Sequence, residues 1–344
     1  MKTCEGQKMT AHHVQMGFSK YYYSDTRNSY DIIVGSTYLF MALIFLPMHM
    51  IMLSIFTRKD EFWKYPAYRI MVHMGVMECL MMTSGPLVSG ILSLIRTNFS
   101  IYVDRVSGGM LVASWIGIAS FTLLLSINRF LLFVGYRMTK RFETQFYRFA
   151  ISFVWIFTVA VFGLHLPYDA SLLFNFVYDV YVYSKESMGW VTERIEFWLV
   201  TSMLIATFTL CVLTVLAIIV QRSGFANKVK VSSGELKLLL QCLIIFVYLV
   251  LIRASLHFVP TFYTGKPGVA AIGIFGESMG GLNPVLYLIF NRRVRRYFVD
   301  MVTWPCKRAS VGVFQISTST NSILSQQKAT GGSSQPSSNP SVRT

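Results

Sequence analysis

The sequence predicts an all-α membrane protein: a bundle of seven transmembrane helices followed by a short amphipathic helix at the membrane interface. Three observations carry that expectation: a composition poor in charge, seven hydrophobic runs of spanning length, and an uneven placement of basic residues. Of the 344 residues, 53% are hydrophobic and 14% charged, whereas soluble domains carry about 25% charged residues. The runs are Ile32–Phe56, Tyr68–Leu92, Val103–Phe133, Phe146–Leu166, Phe197–Val220, Leu236–Val259 and Val269–Phe290. A helix needs about 20 apolar residues to cross roughly 30 Å of hydrocarbon, and each run suffices. None alternates strictly between polar and apolar as barrel strands do, so the runs are helices that satisfy their own backbone groups.

The formal charge of +15 calls for no nucleic-acid partner once its distribution is read. With the N-terminus outside, the loops and tail that would face the cytoplasm hold most basic residues, among them Arg58, Lys59, Arg137, Lys140, Arg141, Lys228, Lys230 and the Arg292, Arg293, Arg295, Arg296 cluster. The other side is poorer in them. Its long loop between the fourth and fifth runs is acidic, with Asp169, Asp179, Glu186, Glu193 and Glu196. Basic residues near helix ends set orientation, so the N-terminus is expected outside. The one N-x-S/T sequon, Asn98-Phe99-Ser100, falls on the same side as a glycosylation candidate. The opening residues are polar and lack a signal peptide's short apolar core and cleavage site, so the first run is expected to serve as an uncleaved anchor.

The expected organisation is an extracellular segment over 1–31, the bundle over 32–290, an amphipathic helix over 291–305 and a disordered cytoplasmic tail over 306–344. In the helix, Val294, Tyr297, Phe298, Met301 and Val302 form one apolar stripe with arginines opposite, a pattern that lies on anionic lipid. Cys306 just beyond it is either a palmitoylation site or unmodified. The tail is rich in Ser, Thr, Gln, Gly and Pro; its hydroxyls could be phosphorylated to recruit a regulator such as arrestin, or simply stay solvated. Cys79, Cys211 and Cys242 fall inside hydrophobic runs, and Cys4 and Cys306 on opposite sides of the membrane, so no disulfide framework is expected. His12-His13 is a weak metal signal, and neither metal nor cofactor is expected.

Mechanistic residues cluster inside the runs. Asn283-Pro284-Val285-Leu286-Tyr287 stands near the inner end of the seventh run. Proline there frees a carbonyl and kinks the helix; Asn283 can fill the broken ladder or bond to a neighbouring helix, and Tyr287 can swing at the cytoplasmic end. This N-P-x-x-Y pattern, followed at once by a basic amphipathic helix, resembles the ending of rhodopsin-like receptors. The third run ends Asn128-Arg129-Phe130, where that resemblance implies an acidic-Arg-aromatic triplet whose arginine reaches the G protein. Asn128 can hydrogen-bond the arginine but cannot form the resting ion pair. Arg129 is therefore either the switch or a residue snorkelling to the interface. Glu78, in the middle of the second run, matches the level of Asn283 and points to a contact between helices two and seven. Trp155 stands where rhodopsin-like receptors carry a tryptophan.

Arg253 and Glu277 fall in the outer halves of runs six and seven, with His257 one turn above Arg253. They read either as a structural ion pair or as anchors for a polar ligand. Trp115 and His165 either line the same cavity or serve packing.

The whole chain resembles nematode seven-transmembrane chemosensory receptors, most closely serpentine receptor class T. Tyr65-Pro66-Ala67-Tyr68-Arg69-Ile70-Met71 with Gly75, Trp115, Asn128-Arg129 and Asn283–Tyr287 carry the resemblance over about residues 30–305. It implies a plasma-membrane receptor for a small environmental molecule, in sensory neurons and their cilia, signalling through a heterotrimeric G protein. Departures from the rhodopsin-like pattern are plain: no proline in the fifth run, no tryptophan–proline switch in the sixth, and Pro47 in the first. No cysteine pair is placed for the usual disulfide between helix three and the loop after helix four. The alternative class is a seven-helix ligand-gated channel of the insect odorant-receptor kind, whose N-terminus lies inside and which lacks N-P-x-x-Y. A transporter would show repeats or paired broken helices, and an enzyme would show a catalytic or metal-spaced set; neither pattern is present.

Overall fold

A computed structural model describes residues 28–97, 100–134, 139–222, 233–262 and 265–303. Seven long helical spans make the bundle, and all exceed the runs read from hydropathy because polar residues extend each helix past its apolar core. The first, α1, covers Ser29–Arg58; its N-terminus is fixed where Asn28 N–H donates to the Asp31 carboxylate at 3.0 Å. After one helical turn at Asp60–Trp63, α2 runs Pro66–Ile95. Pro66 occupies the first helical turn, where its missing N–H costs nothing. A π turn at Thr83–Leu87 containing Pro86 interrupts this helix, and Arg96 ends it at φ 59.

The central post is α3, Ile101–Val134. Of its apolar stretch 78% is buried, against 22% for the peripheral α4, Lys140–Leu164. Next come α5, Ser187–Arg222, and α6, Ser233–Phe262. The last span, α7, is broken: Lys266–Glu277 and Met279–Phe290 meet at Ser278 with a bend of 45°. A proline kink is expected near Pro284, but the sharp bend sits six residues earlier. There the Ser278 hydroxyl turns back to Phe275 O at 2.7 Å and also meets the Tyr248 hydroxyl of α6. Asn291 then caps α8, 292–303, its Oδ1 accepting from Arg293 and Val294 N–H at 3.1 and 3.2 Å. Chain contacts close the bundle as one unit at Arg295.

The bundle is inside-out by the standards of a soluble protein. Phe149, Leu43 and Ile156 are 70% exposed or more on its outer face, while Glu78, Arg129, Asn283 and His49 are buried. Lipid removes the usual penalty on the first group, and interhelical packing and polar contacts hold such a bundle together.

The long acidic loop between the fourth and fifth spans forms an antiparallel hairpin at the end of the bundle where α1 begins. Its strands are β1, Leu172–Asn175, and β2, Val180–Tyr183, with Leu172 opposite Tyr183 and Asn175 opposite Val180. The Val-Tyr-Val-Tyr alternation of β2 is a strand pattern. Asn175 Oδ1 accepts from Val177 N–H at 2.8 Å to form the turn, and Asp179 closes it at φ 56.

Side-chain charge ties this hairpin down. Asp104 of α3 accepts the Phe174 N–H with both carboxylate oxygens, at 3.1 and 3.2 Å. Arg96 reaches Asp179 at 3.1 Å, Phe176 O at 2.7 Å and Asp31 at 3.5 Å. Lys266 bridges Asp179 at 3.2 Å and also pairs with Asp31. Backbone contact adds to this: a Cβ at Gly108 of α3 would lie 2.0 Å from Leu172 O, so only glycine lets the strand lie so close. Among the described residues Cys79, Cys211 and Cys242 are free thiols.

Asp179 is wholly buried, and removing one partner of a buried ion pair costs about 3 kcal/mol. Asp179→Asn is therefore expected to lower the melting temperature of the detergent-solubilised protein; an unchanged Tm would show that the hairpin is held by packing alone.

Candidate functional site

Beneath the hairpin, between α3, α5, α6 and α7, lies a cavity of about 790 Å3, within the range that encloses small organic ligands. Trp115, Tyr181, Tyr183 and Phe197 supply aromatic wall, and Arg253 and Glu277 bring charge. The hairpin strand β2 is the lid; Tyr181 is fixed by a 2.7 Å hydrogen bond between its hydroxyl and Ser107 of α3. Burial drives the Tyr181 and Tyr183 phenols well above their ordinary value, so both stay neutral.

The sequence places Arg253 opposite Glu277, and the structure corrects that pairing. Arg253 Nη1 donates to both carboxylate oxygens of Glu196, each at 3.1 Å, and its guanidinium lies 4.6 Å from the Phe197 ring centroid. Trp115 Nε1 donates to the same carboxylate at 3.1 Å. Glu196 thus joins α3, α5 and α6. Hydropathy hides it: α5 begins at Ser187, ten residues before its apolar run, so Glu196 reads as loop. The signal for it is the i, i+3 spacing of Glu193 and Glu196 beside Trp190 and Phe197. Glu277 is left without an ion-pair partner among the described residues.

Of the remaining candidates at this end, Trp115 lines the cavity and His165 does not. The His165 ring bonds Val161 O in its own last turn at 2.9 Å and packs against Tyr183 with centroids 6.2 Å apart. Its ring therefore closes the end of α4 and packs against the hairpin. His257 lies on α6, with its side chain outside the described atoms. Asn98 and Cys306 lie outside the described residues altogether.

Towards the other end a polar chain crosses the interior. Asn283 Nδ2 donates to Glu78 Oε1, joining α7 to α2 at the level expected. Asn283 therefore bonds a neighbouring helix and leaves the broken ladder to another residue. Pro284 has no N–H for the carbonyl of Gly280 four residues earlier, and His49 of α1 meets that carbonyl through Nε2. His49 Nδ1 also stands 3.5 Å from Glu78 Oε2. His49 is the residue that sequence reading overlooked; a histidine two residues after Pro47 in an apolar run is its signal.

Arg129 at the far end of α3 is 4% exposed, beside the Cys242 thiol of α6, with Nε and Nη2 unpaired. It is buried within the bundle, where a snorkelling residue would reach out. Asn128 does not bond it: Asn128 Nδ2 donates to the Tyr147 hydroxyl of α4 at 2.8 Å. Tyr287 packs edge-on against Phe56 of α1, centroids 5.2 Å apart, with its hydroxyl unpaired. Trp155 donates to His73 Nδ1 of α2 at 3.2 Å.

A seven-helix bundle with an aromatic cavity at one end and an inward-held arginine with N-P-x-x-Y at the other has the architecture of a G-protein-coupled receptor. The chain belongs to the family described as serpentine type 7TM GPCR chemoreceptor Srt, whose model matches residues 11–311. It is a G-protein-coupled chemosensory receptor, and its family and fold are those of receptors and not of enzymes. Among solved structures the crystal structure of squid rhodopsin is similar in fold, with a TM-score of 0.68 at 14% identity over 82% of this chain and 88% of that one. No curated protein sequence matches it.

Exchange of charges tests the corrected pairing. Glu196→Arg and Arg253→Glu alone each leave a buried charge unmatched, at about 3 kcal/mol, and should lower surface level and Tm. The double exchange should restore both, whereas exchanging Arg253 with Glu277 should not; rescue by the second pair would reinstate the pairing read from sequence.

Proposed function

We propose that this receptor binds a small molecule in the cavity under the hairpin and activates a heterotrimeric G protein at the opposite end, where Arg129 and Tyr287 stand. The observation that carries the reading is that the two ends share helices, α3 unbroken and α7 with one bend. Trp115 in the cavity wall and Arg129 share α3, and 14 residues of helix place them roughly 21 Å apart. On α7, Glu277 and Tyr287 lie on either side of the Ser278 bend, the break in the bundle best placed to flex. A ligand that presses on Glu277 or Trp115 can therefore bias the posture of the residues at the far end.

In this reading the N-terminus and hairpin face outside, the receptor sits in the plasma membrane of a sensory cell or its cilium, and the basic face of α8 meets anionic lipid. Asn128, Arg129, Glu78, Asn283, Pro284 and Tyr287 form the switch, and Arg253, Glu277 and Trp115 the ligand site. The hydroxyl-rich tail serves arrestin-type regulation after phosphorylation.

One experiment covers orientation and coupling together. An epitope at the N-terminus should be stained on intact cells, and Arg129→Ala should abolish the G-protein response at an unchanged surface level. Staining only after permeabilisation would overturn the orientation, and normal signalling from R129A would overturn the switch role.

A further inference from the structure

Glu277 is a buried acid of the cavity wall with no ion-pair partner among the described residues. It is 7% exposed, and its Oε2 has no hydrogen-bond partner. The Ser89 hydroxyl of α2 comes near it without closing a hydrogen bond. Arg253 is already held by Glu196. The other cations of the lining, Lys185 and Arg194, are exposed, and Arg194 lies over the Trp190 ring at 5.1 Å. An acid isolated in this way inside a membrane bundle is costly and points to an external partner.

The surroundings make room for one. The π turn of α2 presents Gly85 to the carboxyl group, so that a Cβ there would lie 3.1 Å from Glu277 Cδ. On α7, a Cβ at Gly276 would meet only Ile252, at 3.8 Å, so space lies open beside the acid. The aromatic rings of Trp115 and Tyr181 add faces on which a cation is favoured. Arg253 keeps two donor nitrogens, Nε and Nη2, without partners.

We infer that the cavity recognises a small organic amine, its ammonium paired with Glu277 and an uncharged acceptor on the same molecule, a hydroxyl or carbonyl oxygen, taken by the free N–H groups of Arg253. The inference rests on the reading that places the ligand in this cavity. A carboxylate ligand is disfavoured beside Glu277, because the less exposed charges of the lining are two acids, Glu196 and Glu277, and one cation, Arg253, whose charge Glu196 already matches. A wholly neutral ligand would leave Glu277 as it is found, buried and unpaired.

The test is thermal unfolding of the purified full-length receptor in detergent, with no G protein present. The probes are matched triads: aromatic and aliphatic amines such as phenethylamine, each with its isosteric alcohol and acid, here 2-phenylethanol and phenylacetate. Amines should raise Tm more than their partners. Glu277→Gln should weaken amine binding roughly 100-fold, as loss of a buried charge partner does, without lowering the Tm of the unliganded protein. Glu277→Asp, which keeps the charge, should retain the preference for amines. Alcohols or acids ranking with the amines, an unchanged affinity in E277Q, or no stabilisation by any amine would each overturn the proposal. The wild-type ranking within each triad decides even where a variant fails to fold. Amine binding that E277Q abolishes, alongside a silent signalling assay, would uphold this assignment and count against coupling.

Discussion

The hairpin over the cavity is held by alternating buried charges, and the organisation of that end of the molecule depends on them. Asp31 opens α1, Arg96 ends α2, Asp179 closes the hairpin turn and Lys266 opens α7. Each cation touches both anions, so two positive and two negative charges cancel within one cluster and no buried charge is left over. Such a cluster gains little net stability, because desolvation offsets attraction, but losing any member is costly. Its value is positional. It brings four chain segments far apart in sequence to one place, and Asp104 adds the central helix. Rhodopsin-like receptors commonly use a covalent bond for a similar purpose; here charges and a backbone contact at Gly108 serve instead.

The interior solves a second problem, created by Pro284. A proline inside a helix leaves the carbonyl one turn back without its donor, and in lipid no water can supply one. His49 meets the Gly280 carbonyl from α1, while Asn283 reaches Glu78 on α2. The defect in α7 thus becomes a junction of three helices. Above it the bend at Ser278 faces the cavity region, and below it Tyr287 and Arg129 keep unpaired polar atoms. Side-chain contacts that join three helices at the junction, and an arginine and a tyrosine hydroxyl held without partners at the far end, describe a bundle whose middle is pinned and whose end is primed for another partner.

Most of the bundle could be read from the chain, because lipid imposes one simple rule on length and hydropathy, and the Glu78–Asn283 contact followed from depth alone. The misreadings share a cause. Glu196 reads as loop because hydropathy marks only the lipid-spanning part of a helix, and α5 begins ten residues before that part. Arg253 was therefore paired with the nearest visible acid. The hairpin escaped notice because it is short and lies in a stretch noticed only for its acidic residues. Asn128 has the chemistry to bond its neighbour Arg129, but adjacent residues on a helix point about 100° apart, and Tyr147 lies on the side that Asn128 faces.

The π turn at Thr83–Leu87 has a further consequence for α2. One additional residue in the turn offsets all that follows by about 100° of helical phase. On one side the helix buries Met74, Met77, Glu78 and Met81 towards the junction; on the other it buries Ser89, Gly90 and Ser93. The two halves are one continuous rod mechanically and two separate faces chemically. Substitutions beyond Pro86 can remodel the wall near Glu277 without re-aiming Glu78. Deleting a single residue within the turn would rotate everything beyond it by about 100° relative to Glu78, misdirecting the half of the helix that faces Glu277.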